Sequence, residues 1–344
     1  MPDIVINISD LNKNLGGKQI LNRLNLQVRK GETFVIIGRS GSGKSVTLKH
    51  IIGLMRPDSG SCFVFGSDMA RASRREAEAV RNRIGYLFQS GALLASMNVG
   101  DNVSLPLREH ESGKMDADAI NRTVREKLDL VDLDKVEEKM PSELSGGMRK
   151  RVGLARAIVR NPELVLYDEP TSGLDPIGTA AIDDLIISMK KKLKVTQVVV
   201  THDMASARKI ADRIGLLFEG RIYFTGTPQD LDETQDVVVH QFVHGEIAGP
   251  MTEKSGETKR FRKMQENAPS TQGGSGTRKG GAPAEAEKGK PGQAPTAPSP
   301  ASDGPGPPTP PPKAADLKKQ EEARKEEGEG KKPPVAPEPG SQKP

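Results

Sequence analysis

One cysteine, Cys62, no tryptophan and an aromatic share of only 3% mark this 344-residue chain as poor in several residue types at once. A lone cysteine excludes an intrachain disulfide framework and fits a reducing, cytosolic compartment. No run of eighteen apolar residues exists, so no segment reads as a membrane-spanning helix. The first ten residues, MPDIVINISD, lack the basic stretch and apolar core that mark a secretory signal. Core-forming side chains are scarce in one region above all. Residues 251–344 hold 17 of the 26 prolines but only five Met, Ile, Leu, Val or Phe. Such a stretch cannot bury enough apolar surface to offset its ordering entropy. The sequence therefore predicts one folded domain over 1–250 and a disordered Pro/Gly/Lys/Glu-rich tail over 251–344. Charge divides along the same line: residues 1–250 carry a net +1 and the tail a net +4. The pI of about 9.1 is thus mostly a property of the tail and gives no argument for a nucleic-acid partner.

Within the first 250 residues the pattern is α/β. Ile4–Ile8 and Ile20–Val28 read as strands separated by a Gly16-Gly17 turn. The continuous apolar runs Thr33–Ile37, Leu164–Tyr167 and Thr196–Val200 are those of strands buried on both faces. A helix-rich segment lies between roughly 98 and 160. Strands separated by helical stretches predict a mainly parallel sheet. Residues 235–250 regain an apolar face: Val238 and Phe242, and less regularly Val239 and Val243, fall at i, i+4 spacing.

The chemistry begins at Gly38-Arg39-Ser40-Gly41-Ser42-Gly43-Lys44-Ser45, a full G-x-x-x-x-G-K-[ST] match between a buried strand and a helix. Three glycines let the backbone curl so that successive N–H groups face phosphate oxygens, and the following helix adds its positive dipole end, with Val46 in its first turn. Lys44 supplies a point charge to the β- and γ-phosphates, and the Ser45 hydroxyl suits a Mg²⁺ shell. A Gly/Ser turn without function is the bland alternative, but it does not require all eight positions in that context. The motif specifies a nucleoside triphosphate and no more. A second strand, Leu164–Tyr167, ends in Asp168-Glu169. At the carboxyl edge of a parallel sheet these acids fall beside the phosphate loop. Asp168 suits Mg²⁺, and Glu169 suits a base that polarises the attacking water.

Between these sites stands Leu144-Ser145-Gly146-Gly147-Met148, a hydroxyl and bare backbone N–H groups at a helix start, which form a second anion cradle. With it the chain resembles an ATP-binding cassette (ABC) ATPase over nearly all of residues 4–250. The resemblance implies a P-loop NTPase cassette with a mainly parallel sheet, an N-terminal antiparallel β element and an inserted helical subdomain at about 98–160. It implies Gln89 as the residue that couples to Mg²⁺ and to the permease. Ser172-Gly173-Leu174-Asp175 matches the family's D-loop, and His202 the residue that contacts the γ-phosphate. It implies ATP and Mg²⁺ as cofactors, with Ser145, Gly146 and Gly147 closing over ATP held by a second copy, so that the cassette works as a homodimer. Two positions depart from the family. Met148 replaces the commoner glutamine, and Leu15 stands where an aromatic usually stacks on adenine.

Segments outside the shared motifs narrow the resemblance. Leu87–Leu94, Met97-Asn98-Val99, Pro106–His110, Met140–Glu143 and Gln241–Pro250 are similar to the ATPase subunits of Mla-type (Mce-associated) phospholipid transporters. That likeness implies an integral membrane permease and an Mce-type substrate-binding protein as partners, no nucleic acid, and a cytoplasmic, peripheral place on the inner membrane. The apolar face of 235–250 must bury against its own cassette or a partner subunit, and the likeness favours contact near the dimer interface. Other ABC systems, for lipoprotein release or solute export, share the core motifs. Non-transport cassettes fit less well: the translation class usually carries two cassettes per chain, and the DNA-maintenance class splits its cassette with a coiled coil that residues 45–144 lack.

Overall fold

A computed structural model describes residues 3–110 and 115–253. Of the expected disordered tail, residues 254–344, with the proline run 305–312, lie outside the described residues; its first three residues instead belong to the fold, with Met251 buried. Two long strands open the fold, β1 (Ile4–Leu15) and β2 (Lys18–Arg29), followed by β3 (Thr33–Ile37) and helix α1 (Lys44–Ile51). Short strands β4 (Ser59–Val64) and β5 (Ser67–Asp68), helix α2 (Arg74–Arg81) and strand β6 (Ile84–Leu87) come next. Helices α3 (Val99–His110), α4 (Ala117–Leu130) and α5 (Gly146–Ile158) fill the region expected to be helical. The chain then alternates through β7 (Leu164–Asp168), α6 (Pro176–Leu193), β8 (Thr196–Thr201), α7 (Met204–Ile210), β9 (Arg213–Phe218) and β10 (Arg221–Gly226). Helices α8 (Pro228–Glu233), α9 (Val237–His244) and α10 (Pro250–Glu253) complete the described part.

Two sheets result. Strands β2-β1-β4-β5 form an antiparallel sheet, and β10-β9-β3-β8-β7-β6 form the main sheet. In the latter β9, β3, β8, β7 and β6 run parallel and only β10 is antiparallel. The sequence reading of a mainly parallel sheet with an N-terminal antiparallel element therefore holds. The fully apolar runs sit at the centre: β3, β7 and β8 are buried along their whole length. Their side chains alternate, as the pleat requires. Phe34, Ile36, Leu164, Leu166, Val198 and Val200 pack on one face with Leu48 and Ile51 of α1. Val35, Ile37, Val165, Tyr167 and Val199 pack on the other, with α5 and α6.

The face of α9 meets its own domain. Val238 and Val239 are buried in the α5–α6 cluster beside Leu231 and Met251, and Phe242 and Val243 pack against it. Of the two expected alternatives, its own cassette or a partner subunit, the structure shows the first: residues of the same chain cover these side chains. Gln241 explains why the segment turns back. Its buried carboxamide oxygen accepts from the Met251 N–H at 2.8 Å, and its Nε2 donates to the Glu246 carbonyl at 3.2 Å. The Met251 carbonyl in turn accepts a hydrogen bond from Arg39 at 3.0 Å.

Candidate nucleotide site

The phosphate loop joins β3 to α1 and depends on close packing that a side chain would block. A Cβ at Gly38 would lie 2.6 Å from the Leu217 carbonyl oxygen and 2.9 Å from Ser42 Oγ. Gly43 caps α1 with φ 109°, in the left-handed region where glycine is favoured, and a Cβ there would meet the Leu21 side chain at 2.8 Å. Lys44 is buried. Its Nζ donates to the carbonyls of Gly38 at 2.9 Å and Arg39 at 3.2 Å, and lies 3.3 Å from Glu169 Oε1. Ser42 Oγ is buried and has no hydrogen-bond partner among the described residues. A buried hydroxyl left unsatisfied is costly, and in a loop of this shape it matches a phosphate oxygen.

The two acids diverge in direction although they are adjacent in sequence. Asp168 ends β7 on the face that meets α1. Its Oδ1 accepts from Ser45 Oγ at 2.7 Å and its Oδ2 from the Tyr86 hydroxyl at 3.2 Å. Glu169 follows with φ 50°, a left-handed backbone that a glutamate adopts rarely and at a cost in strain. Its N–H donates to the Val200 carbonyl at 3.0 Å, anchoring the turn to β8. The turn aims the carboxylate at Lys44 on one side and at His202 on the other, whose Nδ1 is 2.7 Å from Oε2. His202 leaves the end of β8 and is itself 63% exposed, so its ring reaches from solvent to the buried acid. Beneath the turn, Lys150 of α5 donates to the carbonyls of Glu169 at 3.3 Å and Ser172 at 2.5 Å. Burial lowers the Lys150 pKa, and the Glu169 charge opposes that shift.

A cavity of about 350 Å³ opens here, lined by Ser40, Gly41, Gly43, Lys44 and Ser45 together with Gln89 and Glu169. Leu15, Ile20 and Val46 supply apolar contacts to it. The leucine at the expected aromatic position thus belongs to a small aliphatic wall. A neighbouring recess of about 640 Å³ is lined by Gln89, Asp168 and Tyr86 with Lys150, Ser172 and Gly146 of the signature. Gln89 therefore borders both. Ser145 caps α5, its Oγ accepting from the Met148 N–H at 3.2 Å. Ser145 and Gly146 are exposed and Gly147 half-buried, and the 350 Å³ cavity touches none of the three. Asp175 caps α6 in the same way, accepting from the Gly178 N–H at 2.6 Å. Sequence reasoning missed Tyr86 and Lys150 as contributors. Tyr86 shares a face with Asp168 only through the register of β6 on β7, which pairs it with Leu166. Lys150 had no signal, because only the packing of α5 brings it under residue 169.

The residues present suit Mg²⁺. Ser45, Asp168 and Gln89 offer hydroxyl, carboxylate and amide oxygens, the hard donors that this ion takes alongside phosphate and water. No cluster of three or more His, Cys, Asp or Glu able to hold a metal occurs among the described residues.

Residues 21–172 match the family model described as ABC transporter. The chain is 42% identical over 257 residues to a probable ribonucleotide transport ATP-binding protein, mkl, of Mycobacterium leprae, covering 74% of each chain. It is 40% identical over 247 residues to the intermembrane phospholipid transport system ATP-binding protein MlaF of Escherichia coli, covering 72% of this chain and 91% of that one. Among solved structures it resembles the dimeric ATP-binding cassette MJ0796 in a post-hydrolysis state bound to ADP and Pi. That match has TM-score 0.61 and 30% identity, over 65% of this chain and 98% of the other. The chain belongs to the ABC transporter family and is an ATP-hydrolysing, ATP-binding subunit of it.

Proposed function

We propose that this cassette powers phospholipid movement across a bacterial envelope through a separate integral membrane permease. It acts as a homodimer of cassettes, peripheral on the cytoplasmic face of the inner membrane, in a complex that includes an Mce-type substrate-binding protein. The observation that carries the hydrolytic part is the linked set Lys44–Glu169–His202, with Ser45–Asp168 beside it. Lys44 neutralises the β- and γ-phosphates, and the loop N–H groups and Ser42 take up their oxygens. Glu169 accepts the proton of the attacking water, and His202 steadies the γ-phosphate side of that water. Ser45, Asp168 and Gln89 would hold Mg²⁺, which would supply charge neutralisation for the phosphates. Ser145, Gly146 and Gly147 close the site from the second copy.

The lipid part is supported by two MlaF proteins, of Haemophilus influenzae at 41% and Escherichia coli at 40% identity, each matched over more than nine tenths of its length. The test is reconstitution of the chain with its permease and Mce-type partner, following transfer of a fluorescent phospholipid between vesicles. ATP-dependent transfer that Glu169→Gln abolishes is expected. ATP-driven uptake of a ribonucleotide without lipid movement would overturn the lipid reading in favour of the cargo named for the mycobacterial relative.

A further inference from the structure

Among the described residues the hydroxyl of Tyr86 has one polar contact, and it is with the acid of the candidate metal site. Strand β6 pairs with β7 in parallel, with Tyr86 opposite Leu166 and therefore on the same face as Leu166 and Asp168. Two residues along a strand rise about 6.6 Å, a span a tyrosine covers when it leans toward the carboxyl edge. Its OH accordingly reaches Asp168 Oδ2 at 3.2 Å, while Ser45 occupies Oδ1 at 2.7 Å. The tyrosine is 9% exposed, and its ring packs on Phe88 at 4.3 Å between centroids, so the phenol has little freedom to swing. A phenol is protonated at neutral pH and donates. Asp168 is therefore gripped at both oxygens, with a single carboxylate orientation.

We infer that Tyr86 is a positioning residue for the divalent metal of this site: it fixes Asp168 so that the carboxylate edge beside Ser45 is presented to the ion. This rests on the reading of Asp168 and Ser45 as metal-binding residues. Partners that orient a metal-binding side chain typically tune metal affinity by about 10–100-fold. The hydroxyl also ties the metal site to the strand that leads directly into Gln89, which borders the same recess.

The test uses the full chain, a non-hydrolysable ATP analogue and a Mg²⁺ titration, reading analogue affinity from EDTA to saturating metal. Tyr86→Phe keeps the ring and its packing on Phe88 and removes only the donor. The expected result is an affinity in EDTA within about twofold of the unaltered chain, with the Mg²⁺ midpoint raised about tenfold. Asp168→Asn is the reference and should raise that midpoint further. An unchanged midpoint in Tyr86→Phe alongside a raised one in Asp168→Asn would overturn the inference and leave the metal site standing. An unchanged midpoint in both would overturn the metal-site reading itself, and the inference with it. A Tyr86→Phe chain that does not fold, or that loses affinity equally in EDTA and Mg²⁺, would assign the hydroxyl to the core and overturn the inference as well.

Discussion

The phosphate loop and the signature turn are both glycine-bearing turns at helix starts, yet the structure treats them in opposite ways. Around the loop, Lys44, Asp168 and Glu169 are buried, and each is held by a specific partner within the chain. At the signature, Ser145 and Gly146 are exposed, and Ser145 does no more than cap its own helix. A charged group is buried only where it is paired, so the loop half is finished by this chain alone. The signature half stands open on the surface. One chain holds two unlike halves, and two chains arranged head to tail would make two complete sites.

The sharpest way to break this comparison is at Glu169. Glu169→Gln keeps the shape and the packing against Lys44 but cannot accept a proton. Turnover in the assembled transporter should fall about 10²–10⁴-fold, the usual contribution of a general base, while ATP binding persists. Steady-state phosphate release near the unaltered rate would remove Glu169 from the role.

Next in size is Ser145→Arg, which fills the exposed cradle with a bulky cation and leaves the buried half untouched. Turnover should drop at least tenfold, whereas ATP affinity of the isolated chain should stay within about twofold. Equal loss of both would mean that the signature contributes to the site of its own chain.

The smallest expected effect tests the burial argument away from the site. Asp183 of α6 is 3% exposed; one oxygen accepts from Ser206 of α7 at 3.0 Å and the other is unpartnered among the described residues. Burial raises its pKa, with Asp203 and Asp184 adding to that shift and Ser206 and Lys209 opposing it. A raised carboxyl pKa means that the folded state binds the proton more tightly than the unfolded chain. The stability this contributes is full below the unfolded value near 3.8 and is lost as pH rises through the folded value. Asp183→Asn has no charge to bury, so its stability relative to the unaltered chain should rise between pH 4 and pH 7. Urea midpoints across that range check the sign, and a variant that loses stability relative to the unaltered chain as pH rises would refute it.

What was legible in the sequence was local. Residues 38–45 carry their conformation in eight consecutive positions, and the apolar runs of β3, β7 and β8 could only be strands buried on both faces. The acids at 168 and 169 were placed because a strand end fixes them. Strands β4, β5, β9 and β10 were not read. β4 is SGSCFV, with Gly and Ser diluting its pattern, and β10 alternates half-buried with exposed side chains at the sheet edge. The apolar face of α9 was recognised, but what covers it was not: a helix pattern says that a face is buried and does not say by which chain. Gln241 and Met251, ten residues apart, decide that through a hydrogen bond no periodicity encodes. Tyr86 is connected to Asp168 only by the register of two strands 80 residues apart.

The account turns on the two halves being completed by a second copy, and the mass of the Glu169→Gln chain in solution tests that most directly. With hydrolysis blocked and ATP present, the 37.0 kDa chain should run as a dimer, and adding Ser145→Arg to the same chain should return it to a monomer. A Glu169→Gln chain that binds ATP and stays monomeric, beside an unaltered chain that turns over ATP as a monomer, would contradict it.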